Sequence, residues 1–179
     1  MSAPASPAAR LRQTWKNLAP LPGGKWLFSR IFGTLIPYSG SVRPQILELA
    51  PGFARVAMAD RRAVRNHLAC VHAIALTNLA EMTTGLAMTF GLPDSARAIL
   101  TQISIDYLRK ARGRLICECR CEPPSTDERR EMDVISEISD ASGEVVARAR
   151  ARWLIGPPTG RAVTADRETG MNPPAGERS

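Results

Sequence analysis

Residues 73–90 read AIALTNLAEMTTGLAMTF. The segment is rich in Ala, Leu and Met, holds no proline, and is apolar nearly all round. That pattern predicts a buried central helix rather than an amphipathic one. Gly91 and Pro93 stop it. The run is not a membrane span, which needs ~20 predominantly apolar residues; Asn78, Glu81 and several threonines make its middle too polar. Glu81 is the outlier, because a carboxylate in an apolar helix is costly unless it has a partner or a task.

Downstream, the pattern changes to period two. Ile99, Thr101, Ile103, Ile105 and Tyr107 alternate with Gln102, Ser104 and Asp106. Leu115, Cys117, Cys119 and Cys121 alternate with Arg114, Glu118, Arg120 and Glu122. Residues 130–139 and 145–155 read as two further strands joined by a DASG turn at 140–143. Val145, Ala147, Ala149, Ala151 and Trp153 face in, and Arg148, Arg150 and Arg152 face out toward carboxylates such as Glu118, Glu122 and Glu137. Upstream, residues 42–49 and 53–59 flank Pro51-Gly52 and predict a hairpin. A polar loop, DRRAVRNHLACVH (60–72), links that hairpin to the long helix. One long helix wrapped by an antiparallel sheet is an α+β arrangement.

The amino-terminal part is helical by the same reasoning. Leu11, Trp15 and Leu18 share one face, and Pro20 and Pro22 end that helix. In KWLFSRIFGTLIP (25–37), Leu27, Ile31 and Leu35 form one apolar stripe and Phe28, Phe32 and Ile36 the next. Lys25, Trp26 and Arg30 make this segment basic and amphipathic. It can pack on its own domain, the commoner outcome, or lie on a membrane surface. Residues 1–39 are thus expected as a helical extension, 40–155 as the main domain, and 156–179, dominated by Pro, Gly and charge, as a disordered tail.

The chain has 179 residues, 44% of them hydrophobic and 23% charged, enough for one domain with a real core. Its net charge of +7 lies in the first 120 residues; residues 121–155 are net acidic. A basic balance can meet nucleic acid, membrane or a phosphorylated small molecule. Nucleic acid is disfavoured, because the nine aromatics are not interleaved with the basic residues in any recognised motif. MSAPASPAARLRQTWKN lacks the apolar core of a secretory signal. The four cysteines, three of them in CECRC (117–121), suggest reduced thiols and a cytoplasmic protein. Their shared strand face suits buried small side chains better than a metal site, so no metal is expected.

A site is expected where the long helix begins. A helix start offers unpaired backbone N–H groups and a partial positive charge, which can hold an oxyanion. Ala73 and Glu81 are eight residues apart, about 12 Å along one helix. One carbonyl cannot touch both, and a two-fold dimer would solve this.

The layout resembles the hotdog fold. The motif is similar to that of acyl-CoA thioesterases of the phenylacetyl-CoA and 4-hydroxybenzoyl-CoA types. Those carry Asn or Gln, five residues, His-Gly or Gly-Gly, seven residues, then Asp or Glu. Here stand Asn66, His72-Ala73 and Glu81 with the same spacing. The resemblance spans about residues 40–155, and a YLRKARG-like strand end (107–113) points to one branch of the superfamily. It implies that the Ala73 N–H polarises the thioester carbonyl and that Glu81 acts as general base or nucleophile. It also implies that Asn66 orients water or carbonyl and that His72 shapes the helix entrance. Thr101 or Ser104 would supply the water-placing hydroxyl of related enzymes. Ala73 departs from the family's glycine but still supplies an N–H.

Each residue also has a plainer reading. Asn66 can cap a turn, His72 can be a capping or core histidine, and Glu81 can pair with an arginine. Arg109, Lys110, Arg112 and Arg114 can hold the phosphates of coenzyme A or form a solvated strand end. The resemblance implies a homodimer or dimer of dimers that hydrolyses acyl-CoA, with coenzyme A as part of the substrate and no other cofactor. A non-catalytic acyl-CoA or fatty-acid binding protein is the alternative.

Overall fold

Pro7–Leu18, Gly24–Leu35 and the single turn Pro37–Gly40 form helices α1, α2 and α3. Strands β1 (Gln45–Ala50) and β2 (Phe53–Met58) follow, then a 3-10 turn at Arg62–Val64 and helix α4 (Ala73–Gly91). Strands β3 (Arg97–Tyr107), β4 (Leu115–Arg120), β5 (Arg130–Ser139) and β6 (Val145–Gly156) complete the order. This computed structural model describes residues 6–158. The tail expected at 156–179 therefore falls, from residue 159, outside the described residues.

The strands form one antiparallel sheet in the order β1-β2-β4-β5-β6-β3. α4 packs against all six, which requires the sheet to curl round the helix. This is the hotdog arrangement. Leu79, Ala80, Ala87 and Met88 of α4 meet Val56, Leu115, Cys117, Ile138 and Ile155 in a single core. Each large apolar side chain buried there contributes about 1.5–3 kcal/mol. The alanines of β6 (Ala147, Ala149 and Ala151) are buried, so the backbone comes close to what packs on it. Cys117 and Cys119 are buried on that inner face too, and burial pushes the Cys117 thiol up to about 12. Arg148 pairs with Glu137, and Arg150 and Arg152 with Asp133, on the outer face; Glu118 is taken by Arg55 instead.

Two strand expectations need correction. β1 starts at Gln45 rather than at residue 42, because Pro44 lacks a donor and Arg43 adopts a φ of 52°. β3 contains a bulge at Thr101, between the Leu100–Trp153 and Gln102–Arg152 pairs. The extra residue reverses the strand's facing. Ala98 and Leu100 point inward before it and Ile103 and Ile105 after it, while Ile99 is 47% exposed.

α1 and α2 share the core rather than hanging beside it. Trp15 meets Phe28 edge-on, with ring centroids 5.0 Å apart, and Phe32 is buried with them. The Arg12 guanidinium donates to the Thr89 and Leu92 carbonyls at 3.1 and 3.0 Å and pairs with Asp94, closing the carboxyl end of α4. Ser29 ties α2 to β1. Its hydroxyl donates to the Lys25 carbonyl at 2.7 Å and accepts the buried Ile46 N–H at 2.8 Å. Among the described residues no helix is long and apolar enough to cross a membrane. Ser29→Ala leaves the Ile46 N–H without an acceptor, so urea unfolding should show a loss of about 1–3 kcal/mol. An unchanged midpoint would mean that this contact does not hold α2 in place.

Candidate active site

The loop before α4 is fixed by hydrogen bonds. Asp60 accepts from Arg65 Nε at 2.6 Å and from the Gly113 N–H at 3.0 Å, and Arg65 holds its carboxyl below the usual carboxylate range. The loop thereby gains an anchor on the β3–β4 connection. Asn66 Oδ1 accepts the Leu68 N–H at 2.9 Å, and the Asn66 N–H donates to the Cys70 carbonyl at 2.9 Å. The side-chain oxygen thus caps a turn. Its amide nitrogen makes no hydrogen bond among the described residues, and the residue borders a shallow pocket.

His72 is the N-cap of α4. Its Nδ1 accepts the Ile74 N–H at 3.1 Å, and its carbonyl accepts from Ala75 and Leu76. The Ala73 N–H is left without an acceptor among the described residues. This is the donor that the resemblance to thioesterases implies for the carbonyl oxygen. The Ala73 carbonyl is occupied: Tyr107 donates its hydroxyl at 3.2 Å and Thr77 at 3.1 Å, and the two hydroxyls are 2.9 Å apart. Tyr107 thus fixes the end of β3 to the first turn of α4. The sequence placed Tyr107 only on the inward face of its strand. The available signal was the phenol, which needs a partner when it turns toward a core.

Asn66, Ala73, Leu76, Tyr107, Arg109 and Lys110 line the pocket, which has a volume of about 350 Å³. The basic cluster is therefore divided. Arg109, paired with Glu144 at 2.5 Å, and Lys110 border the pocket. Arg112 lies beside the Leu68 and Ala69 carbonyls. Gly113, at a φ of 71°, turns the chain away, and Arg114 lies on another surface with Gln45 at 3.3 Å. Neither Thr101 nor Ser104 faces α4. Thr101 Oγ1 donates to the Arg152 carbonyl at 3.2 Å from the bulge, and Ser104 is exposed opposite Arg150. The hydroxyls at the helix start are those of Thr77 and Tyr107.

Glu81 lies two turns along α4 and does not line this pocket. It is half-buried, and its side chain has no hydrogen bond or ion pair among the described residues. Burial pushes its carboxyl above the ordinary 4.5. One turn further on, Gly85 lies under the Trp153 ring so closely that an added Cβ would sit 3.0 Å from it. Among the described residues no three His, Cys, Asp or Glu side chains converge as metal ligands would.

Ionising Glu81 costs more in the folded chain than in the unfolded one. Its contribution to stability is present below its unfolded value and is lost as pH rises through the raised folded one. Glu81→Gln should therefore match the parent near pH 4 and exceed it in urea midpoint at pH 8. Equal midpoints at both pH values would show that the carboxylate finds a partner in solution.

The same fold occurs in solved structures. The chain resembles a structural-genomics protein, APC5556, at 29% identity and a TM-score of 0.73, over 84% of this chain and 100% of that one. It resembles the Pseudomonas aeruginosa protein PA5026, described as a probable thioesterase, at 22% identity and a TM-score of 0.67, over 77% of this chain and 97% of that one. It also resembles a thioesterase family protein from Silicibacter pomeroyi at 17% identity and a TM-score of 0.63, over 73% and 96%. None of the curated proteins matches the chain. From α2 into β6, residues 24–155 match the family described as Domain of unknown function (DUF4442), and the chain belongs to that family.

Proposed function

We propose that the protein hydrolyses acyl-CoA thioesters as a two-fold dimer. The observation that carries this is a division within one helix. Among the described residues, α4 offers an Ala73 N–H without an acceptor at a pocket, and about 12 Å along it a half-buried Glu81 without a partner. Each is half of a thioester-hydrolysing pair, and the helix cannot fold back to join them. β3 is an open sheet edge, and it ends at the helix start through Tyr107. A two-fold axis beside that edge sets the Ala73 of one subunit against the Glu81 of the other.

In this reading the Ala73 N–H binds the thioester carbonyl oxygen and holds the negative charge that develops there. Glu81 removes a proton from water as the water attacks the carbonyl carbon. The tetrahedral intermediate collapses, the C–S bond breaks, and the coenzyme A thiolate takes the proton. The products are a carboxylic acid and free coenzyme A. A carboxylate made more basic by burial accepts that proton more readily. Asn66 borders the pocket with an amide nitrogen free to donate among the described residues, and Arg109 and Lys110 border it where coenzyme A phosphates would be held. The likeness to thioesterases among the solved structures supports the reaction class.

Thiol release should be measured over a panel of acyl-CoAs. Glu81→Gln should lower kcat by at least ~10²-fold. Lys110→Ala should raise KM several-fold and leave kcat unchanged. Equal turnover by the parent and Glu81→Gln would remove Glu81 from the chemistry. Ala73 brings a methyl group to the oxyanion pocket, and tight acyl-CoA binding without thiol release would establish the binding-protein alternative.

A further inference from the structure

Seven of the thirteen large hydrophobic side chains exposed among the described residues fall within residues 21–38. Trp26 is 66% exposed, Leu35 71% and Tyr38 70%, and Leu27, Ile31 and Ile36 are exposed beside them. α2 thus carries more apolar side chain than the core takes up. Phe28 and Phe32 enter the core, while Leu35, Ile31, Leu27 and Trp26 follow round the helix from beside Phe28 over an arc of about 180° at 100° per residue. Core packing accounts for Phe28 and Phe32 only.

The exposed charge on and beside α2 has one sign. Lys25, Arg30 and Arg43 are exposed, and none forms a salt bridge among the described residues. The sequence holds no acidic residue before Glu48. Trp26, Arg30 and Arg43 line one shallow cleft of about 380 Å³, so the indole and the guanidinium groups are neighbours. Arg43 also bears on Arg61, whose guanidinium is held below its ordinary range by burial and by that like charge. On the other flank, Ile31, Leu35 and Ile36 border an apolar groove of about 470 Å³ between α1 and α2.

A second copy of the chain is a poor occupant. A two-fold contact places each patch on itself, so Lys25, Arg30 and Arg43 would meet their own kind. An anionic bilayer offers both chemistries together: phosphates for the cations, and a boundary zone for indole, phenol and aliphatic groups. α2 has 12 residues, about 18 Å of helix, a length suited to lying flat rather than spanning. We propose that α2 and α3 form a docking face for the surface of an anionic lipid bilayer. Trp26, Leu27, Leu35 and Tyr38 enter the headgroup region, and Lys25, Arg30 and Arg43 meet the lipid phosphates. The proposal does not depend on thioester hydrolysis.

Co-sedimentation of the full chain with vesicles tests it. Vesicles of equal parts phosphatidylglycerol and phosphatidylcholine should bind on the order of 10²-fold more tightly than phosphatidylcholine alone, at roughly fivefold per basic residue. Raising NaCl from 0.1 to 0.5 M should erase most of that difference. Trp26→Ser with Leu35→Ser, and separately Lys25→Glu with Arg30→Glu, should each weaken binding at least tenfold. All four side chains are exposed, so the thermal melts should match the parent. Absence of binding, equal binding to both vesicle types, or parental binding by both double variants would overturn the proposal. A change of oligomeric state in Trp26→Ser with Leu35→Ser, without vesicle binding by the parent, would assign the face to a second copy and overturn it equally.

Discussion

Everything in this molecule depends on how closely a sheet can wrap one helix. Beyond its first turn α4 shows solvent only a narrow, half-buried stripe through Thr77, Glu81, Gly85 and Thr89, so six strands must bend round the rest. That bend is made possible by small residues where the backbones converge. Ala80 and Ala87 on the helix and Ala147, Ala149 and Ala151 on β6 leave the needed room, and Trp153 then reaches Gly85. Two devices accommodate the curvature. The Thr101 bulge re-aims β3, and Gly52, at a φ of 73°, turns β1 into β2 with no space for a Cβ against Cys121.

The same wrapping sets the chemistry. A helix held this tightly cannot bend, so the distance between its first amide and its one carboxylate is constant. Buried threonines and Asn78 fit because their polar atoms find backbone carbonyls: Thr83 that of Leu79, and Asn78 that of Tyr38. Among the described residues Glu81 has no such local acceptor or donor, which separates it from Thr77, Asn78, Thr83 and Thr84 on the same helix. Its strain is electrostatic rather than steric.

Much of this could be read from residue order. The apolar composition of 73–90 and the period-two strands lead directly to the architecture, because burial is a property of composition and facing. The motif spacing also locates the helix start, since His72 caps and Ala73 is left open. What sequence could not show is where alternation breaks. A bulge adds one residue without marking itself, so Ile99 and Thr101 read as inward when they point out. The basic cluster read as one unit for a similar reason. Arg109 and Lys110 precede a turn and Arg112 and Arg114 follow or flank it, and only the positive φ at Gly113 separates them in space. Tyr107 escaped notice because its contact, the carbonyl of Ala73, lies 34 positions away in the chain.

The Arg12 contacts have an electrical consequence for α4. A guanidinium held on the Thr89 and Leu92 carbonyls quenches the negative pole of the helix. At the other end the first turn contains no acidic residue, and Arg109 and Lys110 stand nearby. The helix is therefore a half-discharged dipole, silent beneath the amino-terminal layer and positive where its first amide meets water.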